Sequence, residues 1–267
     1  TKGIAAAPLP RRSTIIAPHS PPPPSMPATA TARRRSGLAP PAFAAWLCML
    51  CFSALVGAVS AFPGFDRMQQ IAAQRYGQSA VKAVLAWRQL LDDLQQEGHS
   101  VEDKLSRVNA FFNARLRFDD DIAVWRVADY WATPLEALAR AAGDCEDFAI
   151  AKYMTLRLLG IDDSRLRLIY VRARIGGPDS QVSQAHMVLG YYPEPSAEPL
   201  ILDNLIRDIR PAARRPDLFP VFSFNADGLW VAGALQPSAA PGARLSRWRD
   251  VLDRARAEGL VLPGKQP

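Results

Sequence analysis

A lone cysteine at the start of an apolar helix is the residue of this chain best suited to chemistry. It sits in Gly143-Asp144-Cys145-Glu146-Asp147, with three carboxylates within two positions of it. A thiolate is a strong nucleophile, and a helix N-terminus favours its negative charge. Two other residues interrupt apolar strands. His186 lies inside Ala185-His186-Met187-Val188-Leu189, and Asp203 follows Leu200-Ile201-Leu202. Each taken singly reads as a satisfied core histidine or a strand-end turn residue. Together they supply what a cysteine nucleophile requires, an imidazole to exchange a proton with the thiol and a carboxylate to orient the imidazole. The chemistry implied is acyl transfer through Cys145, His186 and Asp203. His99, beside Gly98 and Ser100, reads as a loop residue between helices.

Asp144, Glu146 and Asp147 offer hard oxygen ligands of the kind calcium prefers. Three negative charges beside a thiol also oppose its ionisation unless a cation offsets them. Successive helix positions turn by about 100°, so Asp147 projects away from Cys145 and a metal there need not block the sulfur. The alternative is that acids in a first turn complement the helix dipole. Further ligands are expected near Asp119-Asp120-Asp121.

The isolation of Cys145 depends on export. Residues 1–61 carry six basic residues and no acidic one, whereas the remainder holds equal numbers of both, so the net charge of +6 belongs to the leader. A neutral body removes the electrostatic reason to expect nucleic-acid binding. Arg33-Arg34-Arg35, the apolar run Phe43 to Val56 and the small residues Val59-Ser60-Ala61 form the three parts of a secretory signal. The apolar run falls short of the roughly 18 residues that span a bilayer. Residues 1–61 are thus expected to be a disordered Pro-rich extension and a signal peptide removed after Ala61, with Met26 an alternative start. Cys48 and Cys51 leave with it, and Cys145 has no disulfide partner.

Residues 62–267 suffice for one domain. Apolar periodicity predicts helices over Phe65–Tyr76, Ser79–Gln96 and Val101–Ala114, the last capped by Ser100. Thr133-Pro134-Leu135-Glu136 is a capping box with proline at the first helical position, and Gly143 is the expected stop. Asp144 caps the next helix, Cys145 to about Leu159, which is apolar on nearly every side and therefore central. Strands are expected at Leu166–Ile175 and Val182–Tyr192 around a Gly-Gly-Pro-Asp-Ser turn, then at Pro199–Leu205, Pro220–Asn225 and Leu229–Ala232, with a helix from Ser246 to Glu258. Helices first and an antiparallel sheet afterwards make an α+β domain.

Gly143-Asp144-Cys145-Glu146-Asp147, Ala185-His186-Met187-Val188-Leu189 and Leu202-Asp203-Asn204-Leu205 occur in that order. Trp131-Ala132-Thr133-Pro134 lies upstream, Ser223-Phe224-Asn225 and Gly228-Leu229-Trp230 downstream. With them the chain resembles the bacterial transglutaminase-like cysteine proteinases from about residue 62 to 235. The resemblance implies a papain-like or transglutaminase-like fold, with Cys145 as nucleophile, His186 as general base and acid and Asp203 as orienting carboxylate. It also implies a calcium site at Asp144, Glu146 and Asp147, and a periplasmic endopeptidase. The implied substrate is a large surface adhesin cut near its N-terminus to release cells from a biofilm. The implied partner is an inner-membrane cyclic di-GMP receptor that sequesters the protease. A transglutaminase would use the same residues to pass the acyl group to an amine, and a non-catalytic binding module would have no need of all three.

Overall fold

The computed structural model describes residues 62–231, 234, 237–238 and 245–264. The leader expected over residues 1–61, and Ala232 at the end of the last expected strand, lie outside the described residues. Three helices come first, α1 (Phe65–Arg75), α2 (Gln78–Gln95) and α3 (Val101–Arg115). Ser100 accepts from the Asp103 N–H while the Asp103 side chain returns to the Ser100 N–H, a reciprocal cap that sets the start of α3. Their apolar stripes, including Phe65, Trp87, Leu91, Leu105 and Phe112, are buried in one core with the helix that follows Asp144.

A short strand β1 (Arg117–Phe118) leads into α4 (Asp121–Trp125) and then α5 (Pro134–Arg140), which begins in the expected capping box of Thr133 and Glu136. Ala141, at φ 51°, closes α5 in the left-handed conformation, so Gly143 is not the stop. Instead Ala142–Gly143 forms β2, paired in parallel with β1. Glycine is required at 143 for a different reason: a Cβ there would lie 2.4 Å from Asp147 Oδ2.

The central helix α6 (Cys145–Leu158) is buried at twelve of its fourteen positions. Each buried Leu, Ile, Met or Phe contributes about 1.5–3 kcal/mol, so this helix anchors the domain. Trp87 Nε1 donates to Thr155 Oγ1 at 3.0 Å, tying α2 to its middle. Lys104 Nζ donates to the Leu159 carbonyl at 3.2 Å, closing its end from α3.

α6 packs on a six-stranded antiparallel sheet of β3 (Leu166–Arg174), β4 (Ser183–Tyr191), β5 (Leu200–Leu202), β6 (Arg210–Pro211), β7 (Leu218–Phe224) and β8 (Leu229–Val231), in the order β6-β5-β4-β3-β7-β8. β3 and β4 pair over nine positions, from Leu166 opposite Tyr191 to Arg174 opposite Ser183. Alternation divides the side chains: Leu168, Met187, Leu189 and Leu202 join the core with α6, and Ile169, Val171, Val188 and Ile201 form a second cluster on the opposite face. β5 is shorter than the Pro199–Leu205 run suggested because Asp203 turns out of the ladder, its Oδ1 accepting from the Leu205 N–H at 3.0 Å. The last helix, α7 (Ser246–Ala257), seats Trp248 against Tyr153 and Phe224. Among the described residues, no helix is long and apolar enough to cross a membrane. This is the α+β architecture the sequence predicts.

Candidate active site

Cys145 begins α6 with Asp144 as its cap, the Asp144 carboxylate accepting from the Glu146 N–H at 3.2 Å. The thiol is 8% exposed and donates to Glu146 Oε2 at 2.8 Å. Burial, then the Glu146 charge and its hydrogen bond, raise the thiol well above the usual cysteine range, and the Met187 backbone N–H acts on the sulfur in the opposite direction. Met187 is the residue after His186 on β4. α6 packs on β4, so the helix that carries the thiol lies against the strand that carries the imidazole. Among the described residues, the hydrogen bond from the thiol goes to Glu146 and not to His186.

His186 Nε2 lies 2.8 Å from Asp203 Oδ1, with the two side chains 1% and 0% exposed. Nδ1 is left as the ring nitrogen not engaged by Asp203. The second carboxylate oxygen, Asp203 Oδ2, accepts from Arg215 Nη2 at 2.7 Å. Arg215 in turn holds Asp217 through Nε at 3.0 Å and Nη2 at 2.7 Å. Burial works to raise the Asp203 carboxyl. The His186 hydrogen bond and charge, the Leu205 N–H and Arg215 outweigh it, and the group stays ionised well below the ordinary carboxylate range. Asn113 Nδ2 donates to the Asp203 carbonyl at 2.8 Å, fixing its backbone from α3. Lys152, two turns along α6 from Cys145, is 1% exposed and brought down to about 7 by burial, with the Asp203 charge opposing that shift.

On the other side of Asp144, carboxylates converge, and among the described residues none of them is in an ion pair. The β1–β2 pairing, extended by the Asp119 N–H donating to the Gly143 carbonyl at 3.1 Å, brings α4 against the start of α6 and places Asp121 beside Asp144 and Asp147. One oxygen from each of these three lies within 4.8 Å of the others, and Asp144, Cys145 and Glu146 form a second such group. Asp147 Oδ1 accepts from the Ala132 N–H at 2.7 Å, and Asp121 Oδ2 from the Tyr130 N–H at 2.5 Å. The remaining oxygens, Asp147 Oδ2 and Asp121 Oδ1, are buried without a partner. Burial, then the charges of Glu146, Asp147 and Asp121, push Asp144 up to about 9. Burial, with the Asp121 and Glu146 charges adding to it against the Ala132 N–H, pushes Asp147 up to about 8. Unpartnered carboxylate oxygens facing one another in a buried site are the donor set a hard divalent cation satisfies.

Of the expected metal-ligating residues, Asp144 belongs to both groups, Asp147 lies with Asp121, and Glu146 lies with the thiol. Asp121 comes from the stretch in which further ligands were expected. Arg215 and Lys152 were not read from sequence. The available signal was the general one that a buried Asp203 needs partners, and nothing in chain spacing says which cation supplies them.

A helix that begins with a cysteine, packed on an antiparallel sheet that carries a buried His-Asp pair, is consistent with a papain-like or transglutaminase-like architecture. The profile of one such family, the bacterial transglutaminase-like cysteine proteinases (BTLCP), matches residues 80–231, and the chain belongs to that family. Among solved structures it is similar to Legionella pneumophila LapG at 39% identity and a TM-score of 0.60, over 71% of this chain and 96% of that one. The EGTA-treated form of the same protein gives 39% identity and 0.61, over 71% and 96% of the two chains. The calcium-bound form gives 39% and 0.60, over 71% and 98%. No curated protein sequence matches the chain.

Proposed function

We propose that this chain is an exported, calcium-dependent cysteine endopeptidase in which Cys145 attacks a peptide carbonyl, His186 moves the proton and Asp203 orients the imidazole. The observation that carries the reading is the buried His186–Asp203 pair at 2.8 Å, its imidazole on β4, the strand against which the Cys145 helix packs. With Nε2 committed to Asp203, Nδ1 is the nitrogen that takes the thiol proton. The thiol must first give up its bond to Glu146. The thiolate then adds to the carbonyl carbon, the imidazolium protonates the leaving amine, and an acyl thioester remains. Water, deprotonated by the imidazole, cleaves the thioester and restores the free thiol. Arg215 and Asp217 hold Asp203 from behind, so Arg215 is a positioning residue. The Cys145 backbone N–H, one of the free donors at a helix start, is available to the tetrahedral oxyanion.

Asp121, Asp144 and Asp147, with Glu146 alongside, would hold the calcium ion, which supplies positive charge against carboxylates that otherwise oppose a thiolate. The calcium-bound and EGTA-treated forms of the Legionella protein support the choice of ion. The likeness to the Legionella protein supports a periplasmic location and a large surface adhesin, cut near its N-terminus to release a biofilm, as the substrate. Export with removal of residues 1–61 follows from the basic and apolar leader, and sequestration by an inner-membrane cyclic di-GMP receptor is part of the same reading by resemblance.

The test is to incubate the purified protein with the N-terminal region of a co-encoded giant adhesin, with and without EGTA, in the presence of a labelled amine. Calcium-dependent chain cleavage is expected. Incorporation of the amine without cleavage would replace the protease by a transglutaminase.

A further inference from the structure

The face of the sheet turned away from α6 holds a cavity of about 290 Å³, bordered by Ile169, Val171, Val188, Ile201 and Leu218 and by Arg167. Arg167 is out of keeping with its row. Alternate residues of β3 on this face run Arg167, Ile169, Val171, Ala173, and the guanidinium occupies a position where its neighbours are apolar. It is 8% exposed, and among the described residues no carboxylate lies within ion-pair distance of it. Two rings hold it, Trp230 at 4.1 Å and Tyr192 at 4.5 Å from centroid to guanidinium carbon. Its Nε is buried without a hydrogen-bond partner.

Ring contacts of this kind attract a desolvated guanidinium through the ring quadrupole. Taking a charge out of water costs more than such contacts return, and an opposite charge or a set of acceptors normally offsets it. Aromatic rings satisfy the face of a guanidinium, and although the Tyr192 hydroxyl also interacts with Arg167, the unpartnered in-plane Nε–H remains for a planar anion. The other arginine at the cavity, Arg215, keeps one buried donor, Nη1, without a partner, but its charge is offset by its ion pairs to Asp203 and Asp217. One uncompensated cation above an apolar pocket suits a monoanion with an apolar body and disfavours a dianion such as phosphate. We propose that this cavity binds a small monocarboxylate with a branched or aromatic body, its carboxylate on Arg167 and its body against Val171, Val188 and Ile201. The volume is at the lower edge of pockets that hold small molecules.

The site is independent of the catalytic reading, and so is its test. The full chain is titrated with benzoate and isovalerate, and with benzamide and isovaleramide as neutral counterparts, while the Trp230 indole N–H resonance is followed by NMR. The acids are expected to shift that resonance saturably, and the amides to bind at least about tenfold more weakly. Arg167→Met removes a buried charge without adding a polar group, so it should fold and lose acid binding by a similar factor. Ile201→Phe, which fills the pocket and keeps Arg167, should lose binding as well. Absence of a saturable shift up to about 10 mM acid, equal binding of the amides, or unchanged binding by Arg167→Met would overturn the proposal. A leucine-terminated tripeptide that bound more tightly than the free acids would overturn the small-molecule assignment in favour of a chain terminus.

Discussion

Asp203 and the group formed by Asp121, Asp144 and Asp147 are all enclosed carboxylates, yet their surroundings differ in sign. Around Asp203 the fold places His186 and Arg215 in contact and Lys152 nearby, and its carboxyl is held ionised well below the usual range. Around the other three it places backbone N–H groups and further carboxylates, two oxygens stay unpartnered, and Asp144 and Asp147 rise to about 9 and 8. One region carries its own counter-charges, and in the other, among the described residues, none of the three carboxylates is in an ion pair. A catalytic carboxylate that must keep one orientation suits the first arrangement. A site that responds to a metal requires the second.

The largest effect is expected where the thiol itself is removed. Cys145→Ala should abolish cleavage while leaving thermal unfolding nearly unchanged, since Cys145 is the single free cysteine among the described residues. Retained turnover in that variant would end the nucleophile assignment.

Exchanging charge for amide in each region tests the comparison directly. Asp203→Asn leaves Arg215 without one of its two carboxylates, so it should destabilise by about 3–5 kcal/mol and slow cleavage by on the order of 10²–10⁴ through a misoriented imidazole. Arg215→Gln should lower kcat less than Asp203→Asn does. Asp147→Asn should do the reverse in EGTA, raising the melting temperature by relieving repulsion, and in calcium should lower both stability and activity. If both Asn variants destabilise equally in EGTA, the three-carboxylate group is already satisfied without an ion.

Dependence on pH sharpens the contrast. A carboxyl whose folded-state value is raised contributes stability that is full below its unfolded value and is lost as pH rises through the folded one. With Asp144 near 9 and Asp147 near 8, the calcium-free protein should lose stability steadily from about pH 4 to 9. Saturating calcium should flatten that part of the slope, and melting temperatures across the range with and without EGTA measure it. A slope indifferent to calcium would mean that the ion binds elsewhere.

Lys152 gives the smallest effect and the opposite sign. Its folded-state value of about 7 lies below the ordinary lysine range, so the unfolded chain binds the extra proton between about pH 7 and 10.5 and stability from this group rises over that window. Lys152→Met should remove this rise with little change in cleavage rate, as read from unfolding at pH 7 and 9. An unchanged rise would show that the lysine is not the group responsible.

Much of this was legible along the chain because it rests on local rules. Helical periodicity, the caps at Ser100, Thr133 and Asp144, and the apolar runs of β3 and β4 depend on residues a few positions apart, and of the expected elements all but β5 lie within a residue or two of their expected bounds where these are described. The resemblance of the Cys145, His186 and Asp203 motifs to a cysteine-proteinase family was likewise visible, since each motif is a short contiguous run. Gly143 was misread as a helix stop because a glycine signals conformational freedom or close approach without saying which, and here it is the nearness of Asp147. Only the tertiary structure decided the charges around each carboxylate. Asp121 reaches Asp147 through the β1–β2 pairing, Arg215 reaches Asp203 across a short helical turn and β6, and Arg167 is clamped by Trp230 of β8, two strands along the sheet. Such contacts join residues 12 to 63 positions apart, where no backbone periodicity links them and only the packing of whole elements sets the distance.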